Sequence, residues 1–148
     1  MAERPMAQVE VAWQGGLRFD ASDSYGHTVT VDAPAEEGDA FQGMMPGQML
    51  LTSLAACSGL DVVNILQRQR QRVTGVAISV EGAQLPDAPW TWVEIDLAYT
   101  ISGNDLDRAA VERAIHLSET KYCSVGATLA GRAKIRSTFE ILEDATGS

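Results

Sequence analysis

Residues 46–71, PGQMLLTSLAACSGLDVVNILQRQRQ, constrain this chain more than any other segment. Pro46 suits the first turn of a helix, where its missing N–H is not needed. The segment reads as helical from Pro46 to about Gln71, and its middle is apolar on nearly every side. A helix of that kind is buried all round and not merely packed along one face. One small sheet cannot cover it, so a second copy of the chain is expected to cover the rest, giving a dimer with a shared core. The QRQRQR end places Arg68, Arg70 and Arg72 near the helix C-terminus, where cations are favoured.

Strand patterns flank this helix. Val9, Val11 and Trp13 alternate with Gln8, Glu10 and Ala12, then Gly15-Gly16 turns the chain into Leu17 and Phe19, a hairpin pattern. A third strand lies in HTVTVDA. Residues 34–45 show no periodicity, and a loop of that length is often functional or mobile. After the helix come Val76, Ile78 and Val80 in alternation, then the cleanest strand, Val93 to Ile101. Asn104 is a good helix N-cap, with Asp105 and Asp107 in the first turn. The helix it starts runs to about Tyr122 with an apolar stripe of Val111, Ala114, Ile115, Ser118 and Tyr122. SVGATLAG can add a further helical turn or two, and RAKIRSTFEIL is a last strand. The order βββ-α-ββ-α(α)-β is an α+β fold with a mainly antiparallel sheet and a long buried central helix. At 148 residues the chain is expected to be a single domain spanning 1–148.

Charge narrows the partners. A net charge of −9 is a poor match for nucleic acid or for an anionic membrane surface. The N-terminus lacks the apolar run of a signal peptide, and no stretch approaches the apolar length of a membrane span, so a cytoplasmic location is expected. The chain has two cysteines. In a reducing compartment they are not expected to form a permanent bridge, and any pairing would be transient and redox-active.

Cys57 lies in the middle of the long helix, where a cysteine is most often inert core. Asp61, one turn on, would raise its pKa, so a reactive Cys57 needs a basic partner from elsewhere. Cys123, in SETKYCSVGATL, precedes a short helix and follows Lys121, and on local grounds it is the more acidic thiol. His116 faces solvent on its helix, and His27 opens a strand with no obvious partner. Two cysteines and two histidines without paired spacing give no expected metal site. There is no dinucleotide or phosphate-binding glycine loop, and no cofactor is expected.

LLTSLAAC followed by Asp-Val-Val, then SETKYCSV, resembles the OsmC/Ohr family of cysteine-based hydroperoxide reductases. W-x-G-G-L-x-F near the N-terminus, a Gly-His strand and TISGNDL fit the same pattern, and the resemblance covers residues 8–142. It implies an intertwined homodimer in which Cys57 attacks an organic hydroperoxide, with hydrogen peroxide a poorer substrate, and becomes a sulfenic acid. Cys123 then closes a disulfide that an external dithiol, such as a dihydrolipoyl group, reduces. It also implies an Arg that holds the thiolate, with Arg18 the best candidate, and an apolar pocket that Met44, Met45 and Met49 are placed to line. The peroxidase groups carry Pro-Glu before the helix, where this chain has Pro46-Gly47. Another group carries its Glu one residue later, where this chain has Gln48, so the chain is most similar to that less-characterised OsmC-like group. Gln48 can anchor an Arg only by hydrogen bonding. The departures leave an alternative reading, a dimer that binds a small molecule or senses redox state with little turnover. A third reading is a structural dimer with inert cysteines.

Overall fold

The computed structural model describes residues 3–145, which form two compact units, one ending at Leu50 and one beginning at Leu51. The first unit is a three-stranded antiparallel sheet of β1 (Val9–Gly15), β2 (Arg18–Asp23) and β3 (Thr28–Val31) in that order. Gly15 and Gly16 both have positive φ, which lets the chain turn between β1 and β2 as the sequence pattern suggests. Trp13 pairs with Phe19, Val11 with Ala21, and Ala21 with Val29. Side chains alternate along a strand, so these residues share one face. That face is open in the single chain: Val9 is 67% and Trp13 65% exposed.

Asp32 organises the loop that follows. It is the one buried acidic side chain among the described residues. Its carboxylate accepts the N–H of Ala33 at 2.8 Å and of Gln42 at 3.0 Å. The loop then closes against β3, with Asp32 N–H donating to the Met44 carbonyl. A Cβ on Gly43 would lie 2.5 Å from the Thr30 carbonyl oxygen, so this close approach requires glycine. The aperiodic segment is therefore tied down at its ends. His27 also departs from expectation: its Nδ1 lies 2.8 Å from Asp23 Oδ2, a partner four residues upstream.

The long helix α1 (Pro46–Arg68) begins at Pro46 as expected and ends earlier than Gln71, where Arg70 takes a positive φ. Then come β4 (Arg72–Gln84), β5 (Trp92–Asn104), α2 (Arg108–Leu117), a π-helical turn over Ser118–Tyr122, α3 (Ser124–Leu129) and β6 (Lys134–Glu143). β4 pairs antiparallel with β5, and β5 pairs parallel with β6. A parallel pair needs a long crossover, which the α2-to-α3 segment provides. Ile95, Leu97, Tyr99 and Ile101 of β5 are fully buried against Leu54, Val62 and Leu66 of α1 and Val111 and Ala114 of α2. The element order and the α+β class match the sequence reading.

Three local expectations are corrected. Asn104 does not cap the second helix, because β5 continues through it in register with Arg72. Asp107 caps instead, its carboxylate accepting the Ala109 N–H at 3.0 Å. Tyr122 leaves the apolar stripe and is 51% exposed, because the π-helical turn shifts the helical phase after Leu117. Finally, α1 is long enough to cross a membrane, with a mean hydropathy of 1.7 over its most apolar stretch. Within the chain it serves as a core helix, burying one stripe of Leu54, Ser58, Val62 and Leu66. Leu60, off that stripe, is 73% exposed.

Candidate active site

The fold of the second unit brings the two cysteines together. Cys57 sits on α1, one residue before the buried Ser58. Cys123 sits between the π-helical turn and α3, where it is the N-cap of α3, and it is 3% exposed. The Ser58 hydroxyl donates to Cys123 Sγ at 3.4 Å, and the Gly126 N–H donates to the same sulfur at 3.2 Å. Cys57 Sγ lies 3.9 Å from the Ser124 hydroxyl. Both thiols are free.

The electrostatics reverse the sequence expectation. Burial pushes the Cys57 thiol up, and this is the largest single influence on it. Hydrogen bonds from the Val125 N–H, the Cys123 thiol, and the Ser124 hydroxyl and N–H together outweigh burial and hold Cys57 below the ordinary thiol range. Burial also pushes Cys123 up, and there it prevails: Ser58 and Gly126 oppose it, while the neighbouring Cys57 adds to it. The position at the start of α3 that made Cys123 attractive thus serves Cys57, which receives the first N–H groups of that helix. No cation enters this balance. The anticipated penalty from Asp61 does not figure among the influences on Cys57; the Asp61 carboxylate accepts the Ser118 hydroxyl at 2.9 Å. Lys121, expected to assist Cys123, instead lies over the Tyr122 ring at 5.3 Å.

Tyr99 completes the polar ground behind the thiols. Burial raises its hydroxyl to about 12, and Ser58 lies close enough to ease its ionisation. Its oxygen is buried without a hydrogen-bond partner in the structure. A cavity of about 190 Å³ opens beside this cluster, bounded by Leu54, Ser58, Leu97, Cys123, Ala133 and Ile135. Cys123 is the thiol on its wall.

The remaining candidates lie at or before the start of α1. Arg18, in β2, donates to Gln42 Oε1 at 2.7 Å. It borders a depression of about 440 Å³ within the first unit, together with Gly16, Asp32, Phe41 and Gln42. Met44 bridges to Val31, and the Met45 carbonyl accepts the Met49 N–H in the first turn of α1. Gln48 and Met49 lie in that same turn, which carries no acidic residue.

Ser58, Ser124, Gly126 and Gln42 escaped the sequence reading. Ser58 and Ser124 each directly follow a cysteine, and Cys123-x-x-Gly126 matches the spacing of an N-cap to the third helical residue. That spacing was the available signal. The pairing of α1 with the α3 start had no local signature.

Comparisons agree with this architecture. Residues 19–138 match the model of the OsmC-like protein family. Protein YhfA of Escherichia coli is 35% identical over 135 residues, covering 91% of this chain and 98% of that protein. A crystal structure of a hypothetical protein from Aquifex aeolicus superposes with a TM-score of 0.84 at 27% identity, covering 96% of this chain and all (100%) of that one. The organic hydroperoxide resistance protein OhrB of Bacillus subtilis shares the fold, with a TM-score of 0.63 at 17% identity over 91% of this chain and 98% of its own. With the family model spanning most of the chain and a relative matched nearly end to end, the chain belongs to the OsmC-like family.

Proposed function

We propose that this chain is a cysteine-based thiol peroxidase that reduces organic hydroperoxides, and hydrogen peroxide less well, in oxidative-stress defence. The observation that carries the reading is the convergence of two free thiols on one hydrogen-bonded cluster, Cys57 against Ser124 and Cys123 held by Ser58 and Gly126, with Cys57 shifted below and Cys123 above the ordinary thiol range. An acidic thiol is the attacking nucleophile, and a neighbouring protonated thiol resolves the product. The Cys57 thiolate attacks the distal peroxide oxygen, the O–O bond breaks, and an alcohol leaves with one proton. Cys57 becomes a sulfenic acid. Cys123 attacks its sulfur, and water leaves as the disulfide closes. A dithiol such as a dihydrolipoyl group supplies the two electrons that restore both thiols.

Arg18 is proposed to hold the thiolate and polarise the peroxide, with Gln42 as the neutral group that fixes its guanidinium. Met44, Met45, Met49 and Gln48 are proposed to form the substrate's surroundings. A cytoplasmic homodimer fits the open apolar face of β1–β3 and the uncovered sides of α1, which a second copy would bury. The whole chain then acts as one OsmC-like domain. The decisive experiment is reduction of tert-butyl hydroperoxide with dihydrolipoamide. The wild type is expected to lose both thiols and form a Cys57–Cys123 disulfide, and Cys57→Ser to be inactive. Equal rates in the two proteins would sink the assignment.

The absence of an acidic residue in the first turn of α1 favours a second reading, a dimer that binds a small molecule or senses redox state with little turnover. It predicts a lasting sulfenic acid, or a retained ligand, with negligible turnover on every peroxide and reductant.

A further inference from the structure

Resolution of a sulfenic acid demands that the second thiol be aimed and that its proton have somewhere to go. Cys123 meets the first demand through a residue outside the thiol pair. The Ser58 hydroxyl, on a side chain 2% exposed, donates to Cys123 Sγ at 3.4 Å. Gly126 N–H donates to the same sulfur from another direction at 3.2 Å. With two donors on its lone pairs, the Cys123 S–H is left pointing away from them, and the thiol neighbouring it is that of Cys57, which lies against the adjacent Ser124. Ser58 therefore donates into the Cys123 sulfur and does not take its proton. Tyr99 stands near Ser58 with a buried hydroxyl that has no hydrogen-bond partner in the structure.

We propose that Ser58 is a positioning residue for disulfide formation, holding the Cys123 sulfur by a hydrogen bond so that its S–H faces the oxidised Cys57. This role rests on the peroxidase reading. When Cys57 carries a sulfenic hydroxyl, the Cys123 proton lies toward that oxygen. The Cys123 sulfur bonds to the Cys57 sulfur, the S–O bond breaks, and the departing hydroxyl takes the Cys123 proton to leave as water. The Cys123 sulfur supplies the electron pair of the new S–S bond, the S–O bonding pair leaves with the oxygen, both sulfurs end at the disulfide level, and no separate base is required. Ser58 keeps its own proton and stabilises the charge that develops on Cys123 as the S–H bond stretches. The other ionisable groups around Cys123 are Cys57, Tyr99 and Glu119 of the adjoining cavity, with Asp61 beyond. None of the three oxygen acids is hydrogen-bonded to the sulfur, which leaves Ser58 as the side-chain donor.

The test separates the two chemical steps. One equivalent of tert-butyl hydroperoxide is mixed with the reduced protein, and sulfenic acid is trapped with dimedone at increasing delays. In Ser58→Ala the sulfenic acid is expected to persist roughly tenfold longer than in wild type, since one hydrogen bond to a developing charge is lost. Ser58→Thr, which keeps the hydroxyl, restores the lifetime to within about threefold. Equal lifetimes in wild type and Ser58→Ala overturn the proposal. A second measurement needs no peroxide: in a Cys57→Ser background, the pH profile of Cys123 alkylation by iodoacetamide is compared with and without Ser58→Ala. A rise of the midpoint in the alanine variant, reversed by threonine, supports Ser58, and coincident profiles overturn it. If wild type forms no sulfenic acid while the midpoint still rises, the peroxidase reading fails and the Ser58–Cys123 linkage stands.

Discussion

The turn of α1 that carries Cys57 and the junction that carries Cys123 are built from similar materials, yet they prepare their thiols for opposite roles. Cys123 is the helix N-cap, the position usually credited with acidity. It is nonetheless pushed up, because it is nearly sealed from water and only two donors reach it. Cys57 lies mid-helix, where its own backbone N–H groups are committed, and it borrows donors from α3 across the core. The difference teaches that a thiol's acidity here follows from how many hydrogen bonds converge on it against how deeply it is buried. Its place along its own helix decides little.

The largest effect that would break the comparison is Cys57→Ser, which is expected to remove peroxide consumption down to the uncatalysed background. Cys123→Ser is expected to keep one turnover and stop at a Cys57 sulfenic acid, seen as one thiol lost per chain by mass spectrometry. A disulfide-free Cys123→Ser that turned over at the wild-type rate with the same dithiol would show that the two regions are not coupled. Next comes stability. Leu54 is fully buried beside Cys123 and Gly126, and Leu54→Ala is expected to cost about 2–5 kcal/mol in a denaturant titration. Gly126→Ala is expected to cost about 1–3 kcal/mol, since its Cβ would lie 3.2 Å from Cys123 Sγ and 3.5 Å from Leu54. Its effect should fall on disulfide closure more than on the first oxidation. Ser124→Ala sharpens the comparison most finely. It removes one weak donor at 3.9 Å, so Cys57 alkylation at neutral pH should slow by about twofold while Cys123 is untouched.

Much of this was legible in the chain itself. Alternation gave β1, β2 and β5, and an unbroken apolar run opening with Pro46 gave α1. The cysteine contexts pointed to the family. Boundaries governed by tertiary pairing were not legible: Asn104 reads as a cap until β5 is seen to continue through it, and the π-helical turn that exposes Tyr122 has no sequence period of its own. The local ranking of the thiols failed for the same reason, although the family resemblance named Cys57 as the attacking one. Local reading weighs Asp61 against Cys57 and Lys121 in favour of Cys123, but in the folded chain Asp61 is not among the groups that shift Cys57, and Lys121 lies over Tyr122. The donors that decide the matter arrive from a helix that the sequence separates from Cys57 by two strands and another helix.

The most direct measurement is the pH dependence of alkylation of both cysteines in one sample of the reduced wild-type protein, read by peptide mass spectrometry after brief exposure to iodoacetamide. A thiol reacts as its thiolate, so each rate climbs as pH rises through that group's pKa. Cys57 is predicted to climb first, below the ordinary thiol range, and Cys123 only above it. The reverse order, or two coincident curves in the ordinary range, would contradict the assignment of Cys57 as the attacking thiol.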